Sequence, residues 1–451
     1  MKRRDFLSST GAGAVVFTLL PRRVLGGTAY KAPSDKLNIA GVGVGGMGAN
    51  YLKGCESENI LALADVDDKL AAPVAERYPK AKVYRDFRRL LDECKDVDAV
   101  VIGTPDHTHA VVAMAAMERG KHVYCAKPLT RTIYEARKLA TTARDRKLAT
   151  QMSVQSCASD EALSTVEWVQ SGVIGAVREV HVWTDRPVWP QAVRRPRETP
   201  PVPAGLEWDL WLGPAPIRPY HPVYHPFSWR GWCDFGTGAL GDMACHSFHI
   251  VFQALKLGPP ASAHASSAFS REVALDGSGG WMRSHIIDTT ETFPNASIVS
   301  WDFPARAGMP PVRMTWYEGG LKPPRPSELD PKLALRDDGL LFVGEKGAIL
   351  SGFAGGPMLV LGPAQRDFTP PPKTLPRSKG HYLEWIQAVK GGPPANCEFG
   401  FGGLLAETAL LGVIAIRTQK FLAWDAEAMR VTNEPEANQF VQGMYRAGWS
   451  V

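Results

Sequence analysis

The stretch that most restricts this 451-residue chain is Leu37-Asn38-Ile39-Ala40-Gly41-Val42, a short apolar run that leads at once into Gly43-Val44-Gly45-Gly46-Met47-Gly48 and a helical segment from Ala49. Gly43, Gly45 and Gly48 fit G-x-G-x-x-G, and each glycine answers a physical demand: a tight turn, close approach of bare backbone to a pyrophosphate, and close packing of helix on strand. Gly-rich turns occur in many α/β proteins, so context decides. A second apolar run, Asn59 to Ala64, ends on Asp65, at the spacing where a carboxylate holds adenosine ribose hydroxyls. Such a carboxylate repels a 2′-phosphate and favours NAD over NADP.

Asp98-Ala99-Val100-Val101-Ile102-Gly103-Thr104 reads as a fully buried parallel strand, followed by a helix from His109 to about Arg119 and an apolar strand over His122–Cys125. Strand and helix alternating at this spacing make a doubly wound sheet, whose ligands sit at the carboxyl ends of its strands. Thr104-Pro105-Asp106-His107 and Ala126-Lys127-Pro128 are therefore expected at a cofactor crevice. Pro128 restricts the loop that carries Lys127. Partly desolvated beside a cationic nicotinamide, such a lysine has a lowered pKa and can exchange a proton with a substrate hydroxyl.

Gly43-x-Gly45-Gly46-x-Gly48, Asp65-Val66-Asp67, Thr104-Pro105-Asp106-His107-x-His109 and Lys127-Pro128, in this order, resemble the Gfo/Idh/MocA family of NAD(P)-dependent oxidoreductases. The similarity continues through Trp208-Asp209-Leu210-Trp211-Leu212-Gly213-Pro214, Trp229-Arg230-Gly231-Trp232 and Asp242 to His246, which are like exported, twin-arginine-signal members from bacteria that degrade complex carbohydrate. The resemblance implies an NAD(P)-binding Rossmann domain over residues 36–155. It implies a second α/β domain over 156–451, built on a large, mostly antiparallel sheet, with the active site between the two and the last helices packed on the Rossmann half. Gly43, Gly45, Gly46, Met47, Gly48, Asp65, Thr104, Pro105, Asp106, His107, His109 and Lys127 are the implied cofactor-binding set. Where the family commonly has Glu-Lys-Pro, this chain has Ala126-Lys127-Pro128, which removes a carboxylate that would orient the lysine.

A second glycine-rich approach, Gly236-Thr237-Gly238-Ala239-Leu240-Gly241, opens a helix on which Asp242 and His246 are four residues apart, hence on one face, with His249 three further on. By the resemblance Asp242 binds substrate hydroxyls and His246 is the acid/base. An Asp–His pair suits hydride transfer from a carbinol, because removing the hydroxyl proton as hydride leaves avoids a protonated ketone. His249 has a substrate-binding or a core role. His221, His225, Cys233, Asp242, Cys245, His246 and His249 are dense enough to raise a metal site, but zinc-type spacings are missing and no metal is expected. No Gly-x-Ser-x-Gly nucleophile elbow occurs.

Residues 187–226 hold eleven prolines, with Trp189, Trp208, Trp211, Tyr220 and Tyr224 among them, and read as a long ordered active-site loop. Within and just after it, His225, Trp229 and Arg230 offer flat faces and donors of the kind that recognise sugar rings, although any one of these aromatics can equally belong to a core. Helical apolar spacing returns at Tyr382–Val389 and Leu404–Thr418.

The net charge of +5 raises the question of an acidic partner. Lys2, Arg3, Arg4, Arg22 and Arg23 against Asp5 account for most of it. Paired arginines before the apolar run Gly11–Leu20 resemble a twin-arginine export signal over residues 1–29, cleaved after Gly26 or Ala29. No later run reads as long enough to span a bilayer. The expected location is the periplasm, reached already folded through the twin-arginine machinery, with no nucleic-acid partner and a homo-oligomer formed through the C-terminal sheet. The seven cysteines, odd in number and without a Cys-x-x-Cys pair, read as buried small hydrophobes.

Three functions are compatible with these residues. The first is an exported oxidoreductase that transfers hydride between a sugar carbinol carbon and NAD, with Lys127 and His246 in proton transfer and Asp242 orienting the hydroxyl. Free NAD is not expected outside the cytoplasm, so the cofactor is expected to be tightly bound. The second is a redox-neutral glycoside hydrolase or lyase, in which transient oxidation acidifies a neighbouring C–H, elimination breaks the glycosidic bond and hydride returns. The third is a non-catalytic or metal-dependent carbohydrate-binding relative.

Overall fold

A computed structural model of the chain describes residues 35–274, 283–286, 290–306, 308–360 and 368–451. The expected export signal, residues 1–29, lies outside the described residues. The first sheet collects β1 (Asn38–Val42), β2 (Asn59–Ala64), β3 (Lys82–Tyr84), β4 (Ala99–Ile102), β5 (His122–Cys125) and β6 (Thr150–Met152) in the order β3-β2-β1-β4-β5-β6, every neighbour parallel. Its helices are α1 (Met47–Gly54), α2 (Asp68–Arg77), α3 (Phe87–Glu93), α4 (Asp106–Glu118) and α5 (Ile133–Asp145). All four residues of β4 are buried, as a strand covered on both faces requires. The order reverses between β1 and β4, which opens a crevice at their carboxyl ends.

α4 starts at Asp106, with Pro105 at its N-cap, three residues ahead of the expected start at His109. Asp106, His107 and His109 therefore lie on a helical turn, not in a loop, and diverge around its axis.

Beyond α6 (Asp160–Gln170), β7 (Val177–Trp183) begins a nine-stranded sheet. The long 187–226 segment is irregular except for α7 (Trp208–Leu212), and two helices that follow, α8 (Gly238–Met243) and α9 (Cys245–Leu255), meet at Ala244. The remaining strands of the large sheet are β8 (Ser262–Ala268), β11 (Ala296–Phe303), β12 (Val312–Tyr317), β13 (Gly339–Gly344), β14 (Gly347–Gly352), β15 (Gly355–Val360), β16 (Leu422–Asp425) and β17 (Arg430–Val431). A separate pair, β9 (Arg271–Ala274) and β10 (Arg283–Ile286), is antiparallel. The order is β15-β14-β13-β7-β12-β11-β8-β16-β17, and only β7 and β12 pair in parallel. α9 packs on this sheet through Phe248, edge-on to Trp301 and Trp316.

The chain then returns through α10 (His381–Val389) and α11 (Phe399–Thr418), and closes with α12 (Gln439–Gln442). Tyr382 of α10 stacks on Tyr124 of β5, and Glu407 of α11 pairs with Arg137 of α5. α11 corrects one expectation. An 18-residue stretch of this 20-residue helix has a mean hydropathy of 1.9, so one later helix among the described residues is long and apolar enough to cross a bilayer. The physical reason is enclosure: most of α11 is buried between the parallel sheet's α5 and strands β8 and β11, and Glu407 is held there by Arg137 and the Trp424 Nε1–H. All seven cysteines are buried and unpaired.

Candidate active site

One cavity of about 820 Å³ runs across the carboxyl ends of the first sheet and under the 208–246 region. Its floor begins at the turn after β1. Gly43 has φ +71° and Gly46 φ +51°, values that side-chain-bearing residues rarely adopt. No side chain caps α1; the Gly48 amide donates to the Gly45 carbonyl at 3.0 Å, and the end of the helix that carries Gly46 and Met47 faces the cavity. A Cβ at Gly48 would lie 1.9 Å from the Gly43 carbonyl oxygen, which fixes its part as close packing; Gly48 itself does not line the cavity.

Asp65 lines the cavity, but its carboxylate is already engaged. Oδ2 accepts from the amides of Val44 (2.8 Å) and Gly45 (3.0 Å), and Oδ1 from Asp67 (3.1 Å). Burial pushes its pKa up against these bonds. The side chain thus ties β2 to the glycine turn as well as facing the ribose position. Asp67 caps α2 and accepts from, or pairs with, His225 Nε2 at 2.8 Å, which joins the long loop to the Rossmann half. Thr104, Pro105 and Asp106 also line the cavity, and the Thr104 hydroxyl is buried without a partner among the described residues. A helix end without a side-chain cap, bare glycine backbone and an unsatisfied hydroxyl along one wall fit a dinucleotide.

The opposite wall carries the charges. Lys127 Nζ lies 2.9 Å from Asp242 Oδ1 and donates to the Asp242 carbonyl at 2.6 Å, while Arg230 Nε is 3.3 Å from the same carboxylate oxygen. Burial alone would raise the Asp242 pKa; the Lys127 and Arg230 charges outweigh it and leave the carboxyl below its ordinary value. His246, on the same cavity wall, is pushed down to about 3 by burial and by the Lys127 charge, so its imidazole is neutral at neutral pH. Asp106 goes the other way: burial, with the Asp242 charge adding to it, lifts it to about 7, and Thr237 Oγ1 donates to its Oδ2 at 2.8 Å. Arg230 is held over the Trp229 ring at 4.3 Å.

Gly43, Gly45, Gly46, Met47, Asp65, Thr104, Pro105, Asp106, Lys127, His225, Trp229, Arg230, Asp242 and His246 thus share one cavity. Four expected site residues do not reach it: Gly48, whose part is packing, and three histidines. His107 is wedged between Trp211 and Phe235, with Nε2 and Nδ1 at 2.9 and 3.3 Å from their backbone carbonyl oxygens, to one of which the single N–H of the neutral ring donates. His109 spans the Thr104 and Pro128 carbonyls at 2.7 and 2.8 Å, and so braces the two strand ends from behind. His249 is buried one turn beyond His246 and bonds to Ser156 Oγ at 2.9 Å. The helical start of α4 and the depth of α9 are the reasons: these rings point into protein, where both histidine nitrogens of α4 find carbonyls. Tyr220 and Tyr224 of the long loop take the core role that their composition also allowed, packing among Trp208, Trp232 and Phe235.

Sequence reading missed Tyr51, Arg85, Ser153 and Trp449, all of which line the cavity. Ser153 follows β6, and its Oγ accepts from the Lys127 amide at 3.0 Å and donates to Tyr51 at 3.1 Å. The strand-end rule, carried one strand further, would have found it. Trp449 has no local signal at all.

Comparison with known proteins agrees with this geometry. Residues 37–154 match the family described as an oxidoreductase family with an NAD-binding Rossmann fold, and residues 168–258 match the C-terminal alpha/beta domain of the same family. The levoglucosan dehydrogenase of Pseudarthrobacter phenanthrenivorans is 30% identical over 185 residues, 41% of this chain and 39% of that protein. A glycosyl hydrolase family 109 protein of Phocaeicola vulgatus is 28% identical over 166 residues, 34% of this chain and 39% of that protein. The matched segments thus span about two fifths of these relatives. In three dimensions the chain resembles the WlbA dehydrogenase of Bordetella pertussis, solved with NADH and UDP-GlcNAcA, with a TM-score of 0.58 and 14% identity over 86% of this chain and 99% of that one. With the two consecutive family regions, the parallel sheet with its glycine turn and the large mixed sheet behind it, the chain belongs to the Gfo/Idh/MocA oxidoreductase family.

Proposed function

We propose that this chain is an exported carbohydrate oxidoreductase that moves hydride between a carbinol carbon of a sugar or sugar derivative and a tightly bound NAD, with residues 36–155 as its dinucleotide half and 156–451 as its substrate half. The observation that carries this reading is that Lys127, from the end of strand β5, and Asp242 and His246, from helices α8 and α9, meet on the wall of the cavity that holds the glycine turn. The backbone of Gly43–Met47, with Asp65 and Thr104, would hold the dinucleotide, which when bound supplies the hydride acceptor or donor. Asp242, fixed as a carboxylate by Lys127 and Arg230, accepts a substrate hydroxyl. His246, neutral and unpaired with any strong acid, takes that hydroxyl's proton, and Lys127 beside it stabilises the alkoxide and shares the proton transfer. NAD is preferred over NADP because the Asp65 carboxylate faces the ribose position. Export by the basic address at Lys2–Leu7 would require the cofactor to enter before translocation and to be regenerated in place, by a second sugar or by another acceptor. Copies of the chain are proposed to meet through the nine-stranded sheet, which light scattering tests.

The similarity to a glycosyl hydrolase family 109 protein favours a second reading, redox-neutral cleavage of a glycoside by oxidation, elimination and return of hydride. The same residues serve both. Acid precipitation of the purified protein is expected to release a dinucleotide seen by absorbance, and incubation with simple glycosides then yields either a keto-sugar or a free aglycone. Lys127→Ala and His246→Ala are each expected to lower turnover by roughly 10²–10⁴ while dinucleotide still binds. Wild-type rates in both variants would overturn the assignment of the acid/base groups.

A further inference from the structure

The carboxyl ends of β2 and β3, where Asp65 and Arg85–Phe87 sit, form the adenosine side of a doubly wound cleft. There the cavity wall is completed from the other end of the chain. Trp449 lines the cavity, with its ring 6.2 Å from that of Phe87 and the Arg88 guanidinium 4.7 Å over it. The segment is pinned at each step. Tyr445 Oη donates to Glu135 at 3.0 Å, the Arg446 amide donates to the Pro214 carbonyl at 3.0 Å, and the Trp449 amide donates to the Arg446 carbonyl at 3.1 Å. The Arg446 side chain donates to the carbonyls of Gly213 (3.0 Å) and Asp209 (2.9 Å) and pairs with the Asp209 carboxylate. The stretch to which it is tied is itself laced to the Rossmann half: Asp68 N–H donates to Gly205 at 3.0 Å, Glu207 N–H to Val66 at 2.8 Å, and Arg85 to Glu207 at 2.6 Å.

We propose that residues 443–451 form the adenine wall of the dinucleotide site, with Trp449 as a cofactor-binding residue and Arg446 as the latch that keeps it in place. An indole at this position offers a purine a flat apolar face, and stacking on an aromatic ring is a sequence-tolerant way to hold a base. Held at both Asp209 and Arg88, the segment bridges the 208–214 stretch and α3, so a dinucleotide leaves only when this bridge opens. The inference rests on the reading that the glycine-turn cavity takes a dinucleotide.

The test uses the full chain stripped of bound cofactor and measures NADH, NADPH, AMP and nicotinamide mononucleotide binding by calorimetry, with NADH release followed by fluorescence. Trp449→Ala is expected to weaken AMP and dinucleotide binding about tenfold, equivalent to about 1.4 kcal/mol, and to speed NADH release by a similar factor. Nicotinamide mononucleotide, which lacks the adenine, is expected to bind as it does to the wild type, and Trp449→Phe to restore most of the loss. Arg446→Ala keeps the indole but frees the segment, and is expected to speed release; it carries the test if Trp449→Ala does not fold. Wild-type release and AMP affinity in the folded variants would overturn the adenine wall alone. A wild-type protein that binds neither NADH nor NADPH would overturn the cofactor reading with it.

Discussion

Asp106 and Asp242 are two carboxyls on one cavity wall that the fold keeps in different states. Asp242 has two cations beside it and stays ionised; Asp106, with a threonine hydroxyl and no cation in contact, is lifted to about 7 by burial and by its charged neighbour. As pH rises through about 7, Asp106 loses its proton and places a second negative charge near the substrate hydroxyl. The expected outcome is a fall in activity with an apparent pKa near 7 that Asp106→Asn removes, because the amide stays neutral and its oxygen still accepts from Thr237. A pH–rate profile of Asp106→Asn that keeps this limb would assign it to another group. Asp106 was legible from the strand-end rule, as was Lys127, whereas Asp242 was legible from the glycine-rich approach to its helix and from the family resemblance. His107 and His109 show where that rule ends. A histidine facing a cavity and one wedged between carbonyls leave the same letter in a sequence, and only the direction of the first turn of α4 separates them.

The turn from β1 into α1 was legible to the residue because glycine is demanded there by backbone conformation and by contact distance, neither of which another side chain can imitate. Gly48→Ala tests this: its Cβ would lie 1.9 Å from the Gly43 carbonyl oxygen and could not be relieved by a rotamer change. Parting α1 from the turn is expected to cost about 1–3 kcal/mol, read as a lower denaturant midpoint, and to weaken dinucleotide binding. An unchanged midpoint would mean that α1 is free to shift. Where apolar periodicity marked α10 and α11, their interiors were legible but not their starts. α11 begins at Phe399, five residues ahead of the expected Leu404, because Glu398 caps it by accepting from the amides of Gly400 and Phe401 and so lets a glycine-rich first turn hold. The 187–226 loop was legible as ordered, since its tryptophans needed burial; which rings face the cavity was decided by long-range packing that spacing does not encode.

Across the whole molecule, burial keeps several histidines neutral. His107, His246, His249 and His381 are lowered from 6.5 to about 3 and His109 to about 4, each chiefly by burial. Between pH 6.5 and 4 the unfolded chain binds protons at these sites and the folded chain does not, so their contribution to stability is complete above 6.5 and declines on acidification. Asp106 and Glu318, lifted to about 7, work in the opposite direction over the same window. His122 and His181 are lowered too, and Asp65 and Glu135 raised, so with seven histidines against four carboxyls the melting temperature is expected to fall as pH is lowered from 7 to 4.5. A flat or rising profile would show that the histidines are not buried as neutral rings. At this scale the pairing of two sheets was legible, whereas the closing segment around Trp449 was not, because its position depends on contacts 230 and more residues away in the chain. α11 carries a final consequence, for the order of events in the cell. Before Arg137 reaches Glu407 and the two sheets enclose it, this helix is a segment long and apolar enough to cross a bilayer. Threading the open polypeptide through a membrane pore would therefore offer it a lateral exit at α11. A folded cargo would offer none, so the folded export proposed from the arginine pair near the amino terminus would suit a chain that carries this helix.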